Sequence, residues 1–212
     1  MAYRAVRLDD LERVDVAGVH LRPVRRPLGI TAFGANAYTA DAGEQLIEEH
    51  TEDGGGGAGG HEELYVVLRG HATFTIDGEE VDAPAGALVF CGDPHTRRGA
   101  VALEDGTAVL VVGGPEGAAG AISPWEWYFG AAAHANRGDW RAAYDFASQG
   151  LADHPDNASL HFNLACYASM AGDREAALEH LGRAIELDPQ VREWAATDTD
   201  LDPIRDDPRF PR

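Results

Sequence analysis

Residues His50–Gly70 read HTEDGGGGAGGHEELYVVLRG, and this stretch decides what the first half of the chain folds into. It joins a glycine-loaded polar segment to a strongly apolar one. Positions 53–60 hold six glycines in eight residues. Ordering so many glycines costs backbone entropy, so the tract reads as a mobile loop, with a lid over a pocket as one use for it. From Glu62 to Arg69 the β-branched and aromatic content rises, and Gly70 ends the run, so this segment reads as a strand. Side chains two residues apart on a strand share a face. His61, Glu63, Tyr65 and Val67 therefore point the same way, placing an imidazole, a carboxylate and a phenol beside apolar neighbours. That arrangement suits the start of a pocket inside a barrel.

Working outward from it, residues 1–19 form a polar lead-in and short strand signals begin at His20. Segments near 20–24, 29–40 and 44–49 precede the glycine tract. Asp77-Gly78 is a hairpin signal between 72–76 and 79–82, and Pro84-Ala85-Gly86 is a turn before 87–91. Gly92-Asp93-Pro94 breaks the chain before 95–102 and 107–112. Strands at roughly ten-residue spacing with Gly, Pro and Asp turns predict a closed antiparallel sandwich or barrel over 20–113. GGPEGAAG at 113–120 marks a linker, taken as 114–123.

Beyond the linker the apolar period changes to 3.6. Gly138-Asp139 recurs as Gly172-Asp173, Ala143 as Ala177 and Pro155 as Pro189, each pair 34 residues apart. A helix-turn-helix unit of that length resembles the tetratricopeptide repeat. Trp127 stands at the family's tryptophan position, and the second unit keeps Leu164-Ala165 and Leu181. His134 and Ala168 replace the family's tyrosine and Ala147 its aromatic, all packing positions. Two repeats span 124–189. Because two repeats bury little surface alone, residues 190–212 are expected to supply a capping helix and tail. The resemblance implies a protein or peptide partner for this region. The aromatic cluster Trp125, Trp127, Tyr128 and Phe129 is expected at the joint between the domains. The fold class is thus α+β multidomain: an N-terminal β-barrel and a C-terminal all-α repeat region.

ELYVVLRG, led by Glu63 and closed by Gly70, resembles the first sequence motif of the cupin family, and PAGALVF at 84–90 resembles the start of its second. The resemblance covers roughly 20–113 and implies a jelly-roll barrel. In metal-bearing members two histidines spaced H-x-H and a glutamate come from the first motif, and a third histidine from the second. Here Glu63 is present, but Gly57, Ala58 and Gly59 occupy the neighbourhood of the histidine pair. His50 stands as a displaced first histidine, with Glu52 where the second would be, and His61 as a substitute for the second. The second-motif histidine falls at Arg97, which stays protonated and cannot be a ligand. His95 is the nearby replacement. The implied metal set is His50, His61, Glu63 and His95, suited to iron, manganese or zinc.

A competing reading needs no metal. Arg97, expected inside the barrel, requires a negative partner, because a buried unpaired charge is costly. Glu63 is one candidate, and an anionic ligand held by Arg97 beside Tyr65 is another. Arg98 is expected to point outward. The remaining histidines, His71, His134, His154, His161 and His180, show no ligand spacing.

The chain is acidic, with 36 Asp and Glu against 17 basic residues, all Arg. Net charge is −11 over residues 1–120 and −8 over 121–212, so the excess is spread along the chain. Such a field disfavours nucleic acid and anionic membranes as partners. Cys91 and Cys166 fall in different predicted domains and read as separate buried thiols of a cytoplasmic protein. Three functions are consistent with this reading. One is a non-catalytic module binding a small polar or anionic molecule in the barrel and a protein on the repeats. Another is a metal-dependent oxygenase, isomerase or lyase, and the third is a homodimeric scaffold. Whether the protein is an enzyme stays open at this level.

Overall fold

The computed structural model describes residues 3–16, 18–53, 60–120 and 123–211. Most of the glycine tract, at 54–59, therefore lies outside the described residues. The chain divides into two units, Met1–Gly120 and Ala121–Arg212.

In the first unit the described residues form ten strands: β1 (Val14–Val16), β2 (Val19–Pro23), β3 (Gly34–Ala40), β4 (Gln45–His50), β5 (His61–Arg69), β6 (His71–Ile76), β7 (Glu79–Pro84), β8 (Leu88–Cys91), β9 (Arg98–Ala102) and β10 (Thr107–Pro115). One short helix, α1 (Arg25–Leu28), lies between β2 and β3. One sheet has the order β1-β2-β3-β10-β5-β8, the other β4-β9-β6-β7. All pairings are antiparallel. The polar lead-in contributes β1 to the edge of the larger sheet, and β10 runs on to Pro115, past the expected barrel boundary.

Alternation decides which residues meet between the sheets, except in β4, where an irregular register with β9 turns the adjacent Leu46 and Ile47 both inward. Tyr65, Val67, Val109 and Val111 come from the larger sheet, and Leu46, Ile47, Phe74 and Ala100 from the smaller; all are buried in one cluster. Tyr65 and Phe74 join the sheets edge-to-face at 5.3 Å between ring centroids. Burying a phenylalanine of this kind contributes about 1.5–3 kcal/mol.

Gly70 lets β5 turn directly into β6, with φ +73° and the Thr107 backbone packed against it. A Cβ at Gly70 would lie 2.8 Å from Thr107 Cα, in a backbone conformation that L-residues avoid. Gly70→Ala is expected to lower stability by at least about 1–3 kcal/mol. The control is Gly78→Ala, where φ is +87° but no atom lies within 4 Å of the added Cβ. Urea midpoints should fall further for Gly70→Ala than for Gly78→Ala, and equal falls would reject the packing component.

The second unit contains α2 (Pro124–Ala135), α3 (Trp140–Ser148), α4 (Ala158–Met170), α5 (Arg174–Leu187) and α6 (Val191–Thr197), with 3-10 turns at Gln149–Ala152 and Thr199–Ile204. The recurrent Gly-Asp pair has a local meaning. Gly138 and Gly172 take left-handed backbone after α2 and α4. Asp139 and Asp173 then accept the Ala142 and Ala176 amide protons and cap α3 and α5. Stop and start are thus encoded in two adjacent residues. Val191, Ala195, Leu201, Ile204 and Phe210 are buried with Ala165, Ala177 and Leu181 of the second repeat.

Trp127 corrects one expectation. Its ring packs on Phe146 at 5.5 Å, and a Cβ on Gly150 would come within 2.7 Å of it, so it belongs to the core of the helical unit. Trp125 and Phe129, by contrast, are 65% and 64% exposed. Cys91 and Cys166 are buried free thiols in separate units.

His161 and His180 meet between α4 and α5 with their Nδ1 atoms 2.9 Å apart. The Pro155 carbonyl accepts from His161 Nε2–H, leaving His161 Nδ1 as an acceptor. His180 Nδ1–H then donates to it, and His180 Nε2 accepts from the Tyr144 hydroxyl at 3.1 Å. The Nδ1–Nδ1 bond needs one of its two nitrogens unprotonated, so the rings cannot both be charged. Burial, then the charge His161 would carry, lowers the His180 pKa, opposed by Glu179 and Asp173. The sign follows: the unfolded chain takes up a proton near pH 6.5 that the fold refuses, so stability falls as pH drops through that value. The urea midpoint should drop more between pH 7.5 and 5.5 in the parent than in His180→Gln. Equal drops would reject this assignment.

Candidate functional site

Between the sheets lies a cavity of about 340 Å³, lined by residues of β3, β4, β5 and β10, the segment after β4, and α1. Its acidic and imidazole groups come from two places. His61, Glu63 and Tyr65 project from alternate positions of β5, as their spacing requires. His50 ends β4, opposite Arg98 in the register with β9, and Glu52 follows two residues later.

His50 Nδ1 is 2.7 Å from the Glu48 carbonyl, which can only accept, so Nδ1–H donates there and Nε2 faces the carboxylates. His50 Nε2 lies 3.6 Å from Glu52 Oε1 and 3.7 Å from Glu63 Oε2. One donor atom from each of His50, Glu52 and Glu63 falls within 4.8 Å of the others. His61 Nδ1 approaches Glu52 Oε2 at 3.4 Å. Glu52 is buried, and its Oε2 has no hydrogen-bond partner.

Glu52 is held through its backbone. Its N–H donates to the Pro94 carbonyl at 2.8 Å, and its own carbonyl accepts from Gly60 N–H at 2.8 Å. Glu63 is held through its side chain. Its Oε2 accepts from the Tyr65 hydroxyl and from Arg98 Nε at 3.3 Å. Arg98 is fully buried and also donates Nη1–H to the Thr96 carbonyl at 2.7 Å and the Pro94 carbonyl at 3.3 Å. Pro94 O thus links Arg98 to the Glu52 backbone, so one guanidinium holds the Glu63 carboxylate directly and the strand-end segment of Glu52 through a shared carbonyl.

The charges follow from these contacts. Burial pushes the Glu63 carboxyl up, but His50, Tyr65 and Arg98 outweigh it and hold Glu63 below the usual carboxylate range. Glu63 in turn raises His50 against the opposing effect of burial. Burial, then Glu63, pushes the Tyr65 phenol far up, so it stays a neutral donor. An imidazole lone pair facing two carboxylates needs a positive charge between them, either a proton or a metal ion.

The donor set fits a divalent metal. One imidazole and two carboxylates suit manganese, iron or zinc, and the unpartnered Glu52 oxygen has a coordination role available to it. Two residues expected at the site are not there. His95 is exposed in the turn before β9, its backbone N–H bonded to Asp93, and it does not line the cavity. Arg97 is on the surface, paired with Glu49 at 2.6 Å, and Arg98 takes the interior place. The inversion has a local cause. β9 begins at Arg98, after a turn through 93–96, so inward positions are Arg98, Ala100 and Ala102, with Val101 outward. A strand counted from residue 95 with Arg97 inward has the opposite parity. Glu52 was visible in the sequence as the residue two after His50, but nothing local showed it to be buried.

Comparison with known proteins gave matches to each half. A family model for the tetratricopeptide repeat matches residues 158–191, the segment of α4 and α5. No curated protein matches the chain. Among solved structures, a cupin protein from Bacteroides fragilis is 21% identical over 58% of this chain and 92% of its own, TM-score 0.45. A sugar phosphate isomerase from a cupin superfamily of Silicibacter pomeroyi is 20% identical over 52% and 74%, TM-score 0.42. KdgF from Halomonas sp. is 22% identical over 51% and 89%, TM-score 0.41. The first unit is thus an antiparallel two-sheet β-fold that is similar to these cupin structures, and the second contains a tetratricopeptide-repeat match within a set of helical hairpins. Among the described residues no helix is long and apolar enough to cross a membrane.

Proposed function

We propose that the barrel is a small-molecule-binding unit built around a divalent cation held by His50, Glu52 and Glu63, with His61 beside it, and that the helical repeats engage a protein partner. The observation that carries the first part is the convergence of one donor atom each from His50, Glu52 and Glu63 within 4.8 Å, in a carboxylate pair whose Glu52 Oε2 is buried without a hydrogen-bond partner. A buried polar atom without a partner is costly, and a cation removes that cost. When bound, such an ion acts as a Lewis acid toward an oxygen ligand. The chain's own residues fix His50 in the ligating tautomer through Glu48, orient Glu63 through Tyr65 and Arg98, and keep the neighbourhood largely out of water. Support for the second part is the repeat match together with the exposed aromatic rings of Trp125 and Phe129 on α2.

Elemental analysis after incubation with excess manganese, iron or zinc tests the cation site. Near one equivalent of metal is expected in the parent and little in a His50→Ala/His61→Ala variant. A folded parent that retains none of the three metals rejects the reading.

A further inference from the structure

The cavity carries a cationic group that the cation site does not use. Arg25, the first residue of α1, lines it and makes one hydrogen bond, from Nε to the Ile30 carbonyl at 3.2 Å. Among the described residues it has no ion pair, whereas Arg69, Arg97 and Arg98 of the same unit each lie within 3.3 Å of a carboxylate. Its terminal guanidinium donors are therefore available to a guest. Asn36 and Tyr38, on alternate positions of β3, line the same cavity, and neither side chain has a protein hydrogen-bond partner among the described residues. Burial, then the charges of Glu63 and Glu52, raises the Tyr38 phenol, so it too remains a donor.

Charge balance narrows the guest. Glu52 and Glu63 contribute two negative charges. Arg98, Arg25 and a divalent ion together contribute four positive ones, leaving an excess of two with neutral imidazoles. Arg25 itself is exposed at the cavity wall, while Arg98, Glu52 and Glu63 lie inside, so an anionic guest entering the cavity meets this excess positive charge. The volume, about 340 Å³, is near the small end of ligand pockets at roughly 300–1,000 Å³. We infer that the cavity takes a small organic dianion, a dicarboxylate or a phosphate monoester, with oxygen on the cation and anionic oxygens on Arg25. Planar bidentate pairing with guanidinium is available to both anion types. Tyr38 and Asn36 donate to the remaining acceptors. This inference rests on the cation reading above.

The test uses the full chain loaded with Mn²⁺, with metal retention followed by electron paramagnetic resonance. Calorimetric titrations with succinate, methyl phosphate and neutral succinamide are run on the parent and on Arg25→Gln. The parent is expected to bind succinate or methyl phosphate, whichever head group it accepts, and not succinamide. Arg25→Gln should weaken that binding at least tenfold while leaving Mn²⁺ affinity unchanged, because Arg25 is not among the cation's donors. Anion affinity equal in parent and variant overturns the inference, as does binding of neither anion or equal binding of succinamide. Failure to take up Mn²⁺ is seen before any anion is added; it overturns the cation reading and this inference with it. Loss of both metal and anion binding in Arg25→Gln, with an unchanged circular dichroism spectrum, also overturns it by making Arg25 part of the metal site.

Discussion

Replacing Arg98 with Met is expected to lower the unfolding free energy of the metal-free protein by about 3–5 kcal/mol, the range for breaking a buried ion pair from one side. Arg98 is fully buried and Glu63 nearly so, with 3.3 Å between Nε and Oε2. Removing the guanidinium leaves Glu63 with the Tyr65 hydroxyl as its short partner and His50 at 3.7 Å. It also leaves the Thr96 and Pro94 carbonyls without the donors that close the turn into β9. Arg97→Met is the control, because Arg97 is exposed and paired with an exposed Glu49, and surface pairs of this kind contribute little. Urea unfolding should show a large midpoint shift for Arg98→Met and none for Arg97→Met. A double Arg98→Met/Glu63→Gln variant should recover part of the loss, since removing both charges relieves the unpaired carboxylate. Equal midpoints for the two single variants would contradict the interior placement of Arg98.

Glu52→Gln is expected to weaken Mn²⁺ binding by more than about 100-fold, the upper end of what removing a mere outer-shell partner does. The substitution keeps the shape of the side chain and the backbone bonds of Glu52 to Pro94 and Gly60, which do not involve its carboxylate. It removes one of two carboxylates that face each other across His50. In the metal-free protein the change should therefore leave stability near that of the parent, with Arg98 still neutralising Glu63. This pairing of outcomes separates a ligand from a structural ion-pair member. Calorimetry with Mn²⁺ and urea unfolding without it measure the two halves. Loss of stability without loss of metal affinity would make Glu52 a structural partner of His50 and His61.

Much of the site was legible in sequence because local rules governed it. His61, Glu63 and Tyr65 reach the cavity through strand alternation, which holds for any strand with one buried face. His50 is brought in by ending a strand on the facing sheet. Arg97 and Arg98 were interchanged because parity depends on where a strand begins. That point is set by the turn through 93–96, where Arg98 itself donates to two carbonyls. His95 falls out of the site for the same reason. Trp127 was assigned to a joint between the domains, and it packs within the helical unit. Its burial depends on Gly150, 23 residues away, leaving room for the indole.

Periodicity and turn chemistry in the chain itself determined two architectures in succession. Glycine, proline and Asp-Gly turns at regular spacing made a barrel, and a 34-residue recurrence of Gly-Asp stop and start signals made helical hairpins. These are local preferences, repeated often enough to agree with one another. Only the tertiary structure decided which charges are inside. Glu52, Glu63, Arg98 and His50 come from three strands and a loop, and their burial and pairing arise where the two sheets close on each other. Charge burial is a property of that closure, since the same residues on an open sheet would be solvated and independent.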